Sequence, residues 1–203
     1  MRSTTRLILV AAALMAAGCD RQSAQGGQGD AAANASLSED ASAPAPDEVT
    51  APAAGAAAVG TFDRSHAGEA APTFAFTDPD GKSVTLAAMR GKPTLLNLWA
   101  TWCAPCVKEM PTLDALAARE TGKLNVIALS QDLEPAKVAD FWQKGGFKTL
   151  RPSLDPKLAF STGMGANLPT TILYDSAGKE VWRRTGSIDW AGTDAAKAIA
   201  EAR

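Results

Sequence analysis

The segment from Thr94 to Leu113 places more limits on the fold than any other part of the chain. It begins with Thr94 to Ala100, an apolar run of strand length, which is typical of a buried central strand. A helical pattern follows, with apolar residues at three-residue steps: Val107, Met110, Leu113 and Leu116. Two cysteines, Cys103 and Cys106, stand at the junction. The sequence therefore predicts two thiols at the point where a buried strand leads into a helix N-terminus.

This position indicates thiol chemistry. The free N–H groups and the dipole at a helix N-terminus stabilise a thiolate at Cys103. The i,i+3 spacing places Cys106 on the same helix face, within reach of a disulfide. Pro105 falls in the first turn, where its missing N–H has no cost. Thiol–disulfide exchange is the first hypothesis, and an inert disulfide or half of a structural zinc site are the alternatives. A zinc site needs about four ligands, whereas the whole chain has three Cys and one His.

The residues around the cysteines resemble a known family. Trp102 with the Cys-x-x-Cys pair resembles the thioredoxin superfamily, and the Glu109-Met-Pro111 that follows resembles the TlpA-like (TlpA/ResA) thiol–disulfide oxidoreductases. The resemblance covers about residues 69–202. It implies that Cys103 and Cys106 are catalytic and form a redox-active disulfide, with no other cofactor and no metal.

The N-terminus predicts export and a lipid anchor. Arg2 and Arg6 precede an apolar run from Leu7 to Ala17, which is too short to span a membrane and suits a signal peptide, residues 1–18. The sequence that ends at Cys19 resembles a lipobox and implies lipidation of Cys19. An uncleaved anchor and a plain signal peptide are the alternatives. We therefore expect a protein anchored on the periplasmic side of the bacterial inner membrane.

Residues 19–67 are rich in Ala, Gly, Ser and Pro and offer almost nothing to bury. This composition predicts a disordered tether. The tether so defined includes Phe62 and His66, and a lone His in a linker is more often without a role than a ligand.

The remaining residues, 68–203, are enough for one ordinary domain. The formal net charge is −2 and no basic cluster is evident, which argues against a nucleic-acid partner. No dimerisation segment is evident, so we expect a monomer.

Patterning gives the domain an α/β organisation. Two strands around the turn at Asp78 to Gly81 predict a hairpin. The active-site strand and a helix to Arg119 follow, then alternating strands and helices and a final helix from Thr193, its expected N-cap, to Ala202. A helix is expected at residues 156–161. The family resemblance identifies this pattern as a thioredoxin fold with an N-terminal β-hairpin and a central αβ insertion.

The resemblance also implies a second site element at Leu168 and Pro169. The matching proline of thioredoxin-like folds is cis and faces the cysteine pair. Such a proline would leave the backbone of Leu168 free to pair with an extended substrate. The expected substrate-binding residues are Trp102, Ala104, Pro105, Leu168 and Pro169.

The proton acceptor for Cys106 is left open. Asn97 stands where thioredoxin has a buried Asp, and an Asn cannot accept that proton at neutral pH. Asp132 and Glu134 are candidates. Glu109 either tunes the potential together with Asn97 or is a solvated surface residue.

The family implies a reductase for protein disulfides and dithiols. Its electron donor would be a membrane thiol transporter of the CcdA/DsbD type, and its use cytochrome c or cytochrome oxidase assembly. A disulfide-forming oxidase or isomerase is the main alternative. A peroxiredoxin-like peroxidase is disfavoured because Leu96 and Ala100 stand where its motif needs Pro and Thr or Ser. A copper-binding module of the Sco type is disfavoured because no His follows Cys106.

Overall fold

The computed structural model describes residues 60–202, which contain a seven-stranded mixed sheet with helices on both faces. The strands lie in the order β2-β1-β5-β4-β3-β6-β7. They are β1 (Ala75–Thr77), β2 (Ser83–Thr85), β3 (Thr94–Trp99), β4 (Asn125–Ser130), β5 (Pro152–Leu154), β6 (Thr170–Tyr174) and β7 (Glu180–Thr185). The helices are α1 (Ala104–Arg119), α2 (Pro135–Gly145), α3 (Ala159–Met164) and α4 (Thr193–Ala200), with a 3₁₀ turn at Leu86–Met89.

The centre of the sheet is β3, which is buried along its whole length. It pairs in parallel with β4 and antiparallel with β6. The predicted hairpin is β1–β2, and β5 joins it to β4. The helix–strand pair α2–β5 is the extra unit, so the expected hairpin and central insertion are confirmed.

Alternation along β3 divides the core into two layers. Leu95 and Trp99 face one layer, which α1, α4 and Val138 of α2 complete. Leu96 and Leu98 face the other, which contains Phe160 of α3. Since successive side chains of a strand point to opposite faces, Asn97 lies on the α1 side, beneath the helix that follows the cysteines.

The outer edge of β7 is covered by residues 60–71, which we call the edge segment. Asp63 and Arg183 exchange backbone hydrogen bonds of 2.8 and 2.9 Å, and Gly60 N–H donates to the carbonyl of Thr185 at 2.9 Å. The Phe62 ring packs edge-on against Trp182 at 4.8 Å. The predicted tether is therefore wrong for residues 60–67, because these residues gain backbone partners on β7 that their composition does not reveal.

Two helix boundaries also differ from the prediction. The helix α3 begins at Ala159, beyond a turn in which the buried Asp155 accepts from the Phe160 N–H at 2.8 Å. The N-cap of α4 is Gly192, and Thr193 is the first helical residue. The hairpin, the active-site strand and the helix that ends at Arg119 lie where the sequence predicts them.

Candidate active site

Cys103 and Cys106 form a disulfide with a Cα–Cα distance of 5.3 Å. Cys103 is the N-cap of α1, and its Sγ accepts from the Cys106 N–H at 3.4 Å. Pro105 lies in the first turn of the helix. Cys103 is 6% exposed and Cys106 is fully buried. Cys103 is therefore the sulfur that a partner can approach, and Cys106 lies behind it.

The backbone at the helix N-terminus also favours Cys103 as the nucleophile. Once the disulfide is reduced, the N–H of Cys106 is positioned to donate to a Cys103 thiolate. The dipole of a sixteen-residue helix, α1, adds to this stabilisation of negative charge.

The peptide bond between Leu168 and Pro169 is cis, in agreement with the prediction. Thr170, the next residue, pairs with Leu98 near the end of β3, so this turn lies at the same end of the sheet as the disulfide. The Pro169 carbonyl accepts from Gly186 N–H at 2.9 Å. Among residues 60–202, no backbone hydrogen bond involves Leu168. Its N–H and C=O are thus available to an extended polypeptide.

Glu109 is the acidic residue that the structure brings to the site. It lies one helical turn after Cys106, and both side chains are buried on the same face of α1. Asn97 donates to Glu109 Oε1 at 2.8 Å, and the Ile188 N–H donates to Oε2 at 3.1 Å. The interpretation of Glu109 as a solvated surface residue is therefore wrong.

Burial shifts the pKa of Glu109. Loss of water raises the pKa of its carboxyl, and the hydrogen bonds from Asn97 and Ile188 oppose that shift without cancelling it. Asn97 is itself fully buried and donates a second hydrogen bond to Thr171 Oγ1 at 2.9 Å. Asn97 thus fixes a buried carboxyl one helical turn after the inner cysteine.

The two sequence candidates for the proton acceptor, Asp132 and Glu134, lie in different environments. Asp132 is buried and accepts from the Thr101 N–H at 3.0 Å, the Thr101 hydroxyl at 2.6 Å and the Ser130 hydroxyl at 2.8 Å. Glu134 is exposed and pairs with Lys137 at 2.6 Å. Asp132 therefore positions the turn that leads to Cys103, while Glu134 lies at the surface.

The two tryptophans near the cysteines have different environments. Trp102 is largely exposed, as are Ala104 and Pro105, so these three surround Cys103 at the surface. Trp99 is fully buried, as predicted, and contacts the rings of Phe141 and Trp142 at 5.1 and 5.4 Å.

Sequence reasoning missed Thr101 and Ile188 as parts of the site. Ile188 contributes a backbone N–H from 79 residues beyond Glu109, and no local pattern marks it. The spacing of Glu109 from Cys106, which equals the spacing of the two cysteines, was the available signal for a shared buried face.

Some of the sequence predictions fall on residues that the structure does not describe. Cys19 is outside the described residues, so its lipidation stays a prediction. Within residues 60–202, no helix has the length and apolar character needed to cross a membrane, and no three His, Cys, Asp or Glu side chains are grouped so that they could hold a metal ion.

Known proteins are similar to this chain in sequence and in fold. The sequence model of the Redoxin family matches residues 66–199. The thiol-disulfide oxidoreductase ResA of Bacillus thuringiensis (strain Al Hakam) is 36% identical over 121 residues, 59% of this chain and 69% of that protein. ResA of Halalkalibacterium halodurans is 34% identical over 131 residues, 62% of this chain and 73% of that protein.

Solved structures extend the similarity. A Chlorobium tepidum protein assigned as thiol:disulfide interchange protein DsbE has a TM-score of 0.61 and 25% identity, over 67% of this chain and 96% of that one. The exposed lipoprotein thioredoxin Etrx1 of Streptococcus pneumoniae has a TM-score of 0.54 and 27% identity, over 63% of this chain and 98% of that one. The chain belongs to the Redoxin family, and within the thioredoxin superfamily it is a thiol–disulfide oxidoreductase of the TlpA/ResA-like group.

Proposed function

We propose that the protein is a lipid-anchored periplasmic reductase of protein disulfides. The observation that carries this proposal is the Cys103–Cys106 disulfide at the start of α1, beside the free backbone of Leu168. An accessible sulfur, a buried second sulfur and an open backbone edge are what dithiol–disulfide exchange with a polypeptide requires.

The reaction begins with the reduced pair. The Cys103 thiolate attacks one sulfur of the partner disulfide, so a mixed disulfide forms and the other partner sulfur leaves as a thiolate. Cys106 then attacks the Cys103 sulfur, the Cys103–Cys106 disulfide closes, and the second partner sulfur is released. The partner gains two electrons and two protons, and a dithiol donor must reduce the Cys103–Cys106 disulfide again.

Glu109 is the group that accepts the Cys106 proton in this scheme. The Cys106 thiol must lose its proton before it can attack, and Glu109 is buried one turn away on the same helix. Its raised pKa favours that exchange, because a higher pKa makes the carboxylate a stronger base.

The substrates and partners follow from the family. The proposed substrates are disulfides of envelope proteins, including cytochrome c and cytochrome oxidase assembly proteins, and the proposed electron donor is a membrane thiol transporter of the CcdA/DsbD type. The name of the Streptococcus pneumoniae neighbour, a lipoprotein, supports lipidation of Cys19. No cofactor beyond the disulfide is proposed, and the protein would act as a monomer.

Trapping experiments test the mechanism. Cys106→Ser should accumulate a mixed disulfide between Cys103 and substrate proteins, visible on non-reducing gels. Cys103→Ser is the matched control, because it retains Cys106 and Cys19 but lacks the accessible sulfur. Equal adducts in the two variants would contradict the assigned roles.

The reduction potential tests the direction. Wild-type protein equilibrated in thiol/disulfide buffers and followed by Trp fluorescence should give a value near that of thioredoxin, about −270 mV. A value near that of DsbA, about −120 mV, would favour the disulfide-forming oxidase instead.

Fractionation tests the anchor. Cys19→Ser should move the protein from the membrane to the soluble fraction, whereas Cys103→Ser should leave it in the membrane. Retention of the Cys19→Ser protein in the membrane would refute lipid anchoring at Cys19.

A further inference from the structure

Two large apolar side chains of residues 60–202 are strongly exposed. Trp102 is 70% exposed and Leu133 is 68% exposed. Trp102 precedes the accessible cysteine, whereas Leu133 comes from the loop after β4. Large apolar groups that stand out from a surface in this way commonly mark contacts with a partner.

The fold places these two residues on adjoining loops. The strands β3 and β4 are parallel neighbours, with Trp99 opposite Ser130 at their ends. Their following loops are joined because Asp132 accepts two hydrogen bonds from Thr101, at 3.0 and 2.6 Å. Trp102 and Leu133 are the residues that immediately follow Thr101 and Asp132.

The loop that carries Leu133 is held in place. The Asp132 N–H donates to the Ser130 hydroxyl at 3.0 Å, and that hydroxyl donates back to the Asp132 carboxylate at 2.8 Å. Leu133 is thus exposed on a well-supported turn, and its exposure does not reflect a loose loop.

The charged residues next to Leu133 are buried or paired: Asp132 is buried, and Glu134 pairs with Lys137. The exposed neighbours of Trp102 and Leu133 along the chain include Ala104, Pro105 and Pro135. The nearest charges in sequence after Leu133 are Glu134 and Lys137, which neutralise each other at 2.6 Å. This surface suits an uncharged, apolar side chain of a partner.

The free backbone of Leu168 favours a polypeptide as the occupant. An extended chain paired with Leu168 would cross Cys103 and carry its neighbouring side chains onto the adjoining surface. Neither loop, residues 100–103 or 131–134, contains a Lys or Arg, which a surface for anionic lipid would use.

We infer that Leu133, held by Asp132, forms with Trp102 a specificity surface for a large apolar side chain next to a cysteine of the partner disulfide. This inference rests on the proposed function, since it describes which protein disulfides the enzyme selects.

Two disulfide peptides test the inference with the full chain in its reduced form. The peptides share one disulfide loop and differ in one flanking residue, Leu or Asp. Wild type should reduce the Leu peptide faster. Leu133→Ala should lower this preference by about fivefold, equivalent to about 1 kcal/mol. Lys123→Ala is the control for truncation of an exposed side chain, because it precedes β4 at the other end of the strand, and it should keep the wild-type preference.

The outcomes separate the inference from the proposed function. If wild type reduces neither peptide, the proposed function fails. If wild type reduces both peptides equally, or if Leu133→Ala keeps the preference, only the inference is overturned. If Leu133→Ala keeps the preference but loses affinity for phosphatidylcholine vesicles, the surface contacts lipid and the inference is likewise overturned.

Discussion

The buried carboxyl of Glu109 leads to a prediction about stability against pH. Burial raises the pKa of Glu109 above the ordinary value of a glutamate carboxyl. Below the unfolded pKa the carboxyl is protonated in both states, and its contribution to stability is fully present. As the pH rises through the folded pKa, the native protein must hold a desolvated carboxylate that the unfolded chain exposes to water. The contribution of Glu109 to stability is therefore lost as the pH rises.

The size of this effect follows from the binding of one proton to Glu109. Between the two pKa values the native state binds up to one proton more than the unfolded state. The free energy of unfolding then falls by up to about 1.4 kcal/mol for each pH unit. Glu109→Gln removes the titration and keeps the shape of the side chain. The stability of wild type relative to Glu109→Gln should therefore fall as the pH rises across this window.

Urea unfolding of the oxidised proteins, followed by Trp fluorescence between about pH 4 and pH 8, measures this difference. Glu134→Gln is the control, since Glu134 is exposed, and its curve should stay parallel to that of wild type. A constant difference between wild type and Glu109→Gln would refute the raised pKa. A difference that grows with pH would show that the hydrogen bonds to the carboxylate outweigh its loss of water.

Substitutions at three further residues test the buried polar contacts. Asp132→Ala should lower the free energy of unfolding by about 3 kcal/mol and Asp132→Asn by about 1 kcal/mol, because the amide retains an acceptor; equal losses in urea titrations would contradict this. Glu180→Gln should cost about 3 kcal/mol, because it leaves the partly buried Arg183 without its 2.7 Å carboxylate partner; a loss below about 1 kcal/mol would count against the pair. Asn97→Asp should destabilise the protein more at pH 8 than at about pH 5, since a second carboxylate would face Glu109; a loss independent of pH in the same titrations would refute that repulsion.

The sequence was sufficient for the features that local patterns encode. The apolar run of β3, the Cys-x-x-Cys spacing and the turn between β1 and β2 each predict their elements without reference to the rest of the chain. The family resemblance added the cis Leu168–Pro169 bond, which no local pattern requires.

The features that the sequence did not reveal depend on distant partners. Glu109 is polar and adjacent to Lys108, a pattern typical of surface residues. Its burial depends on hydrogen bonds from Asn97 and the Ile188 N–H, which are distant in the sequence. The edge segment has the composition of a linker, and its order comes from backbone hydrogen bonds to β7. The helix α3 begins later than predicted because Asp155 holds a turn before it. The Asp155 carbonyl accepts from the Leu158 N–H, and its carboxylate accepts from the Phe160 N–H.

The edge segment has a practical consequence for the choice of fragments. The family match begins at residue 66, so a fragment cut there would lose the Asp63 pairing, the Phe62–Trp182 ring contact and the Arg64–Glu201 ion pair. Part of β7 would then be an open edge, and open edges pair with other copies of a chain. A well-behaved soluble fragment should begin before Gly60, and self-association of a shorter one would reflect the cut rather than the enzyme.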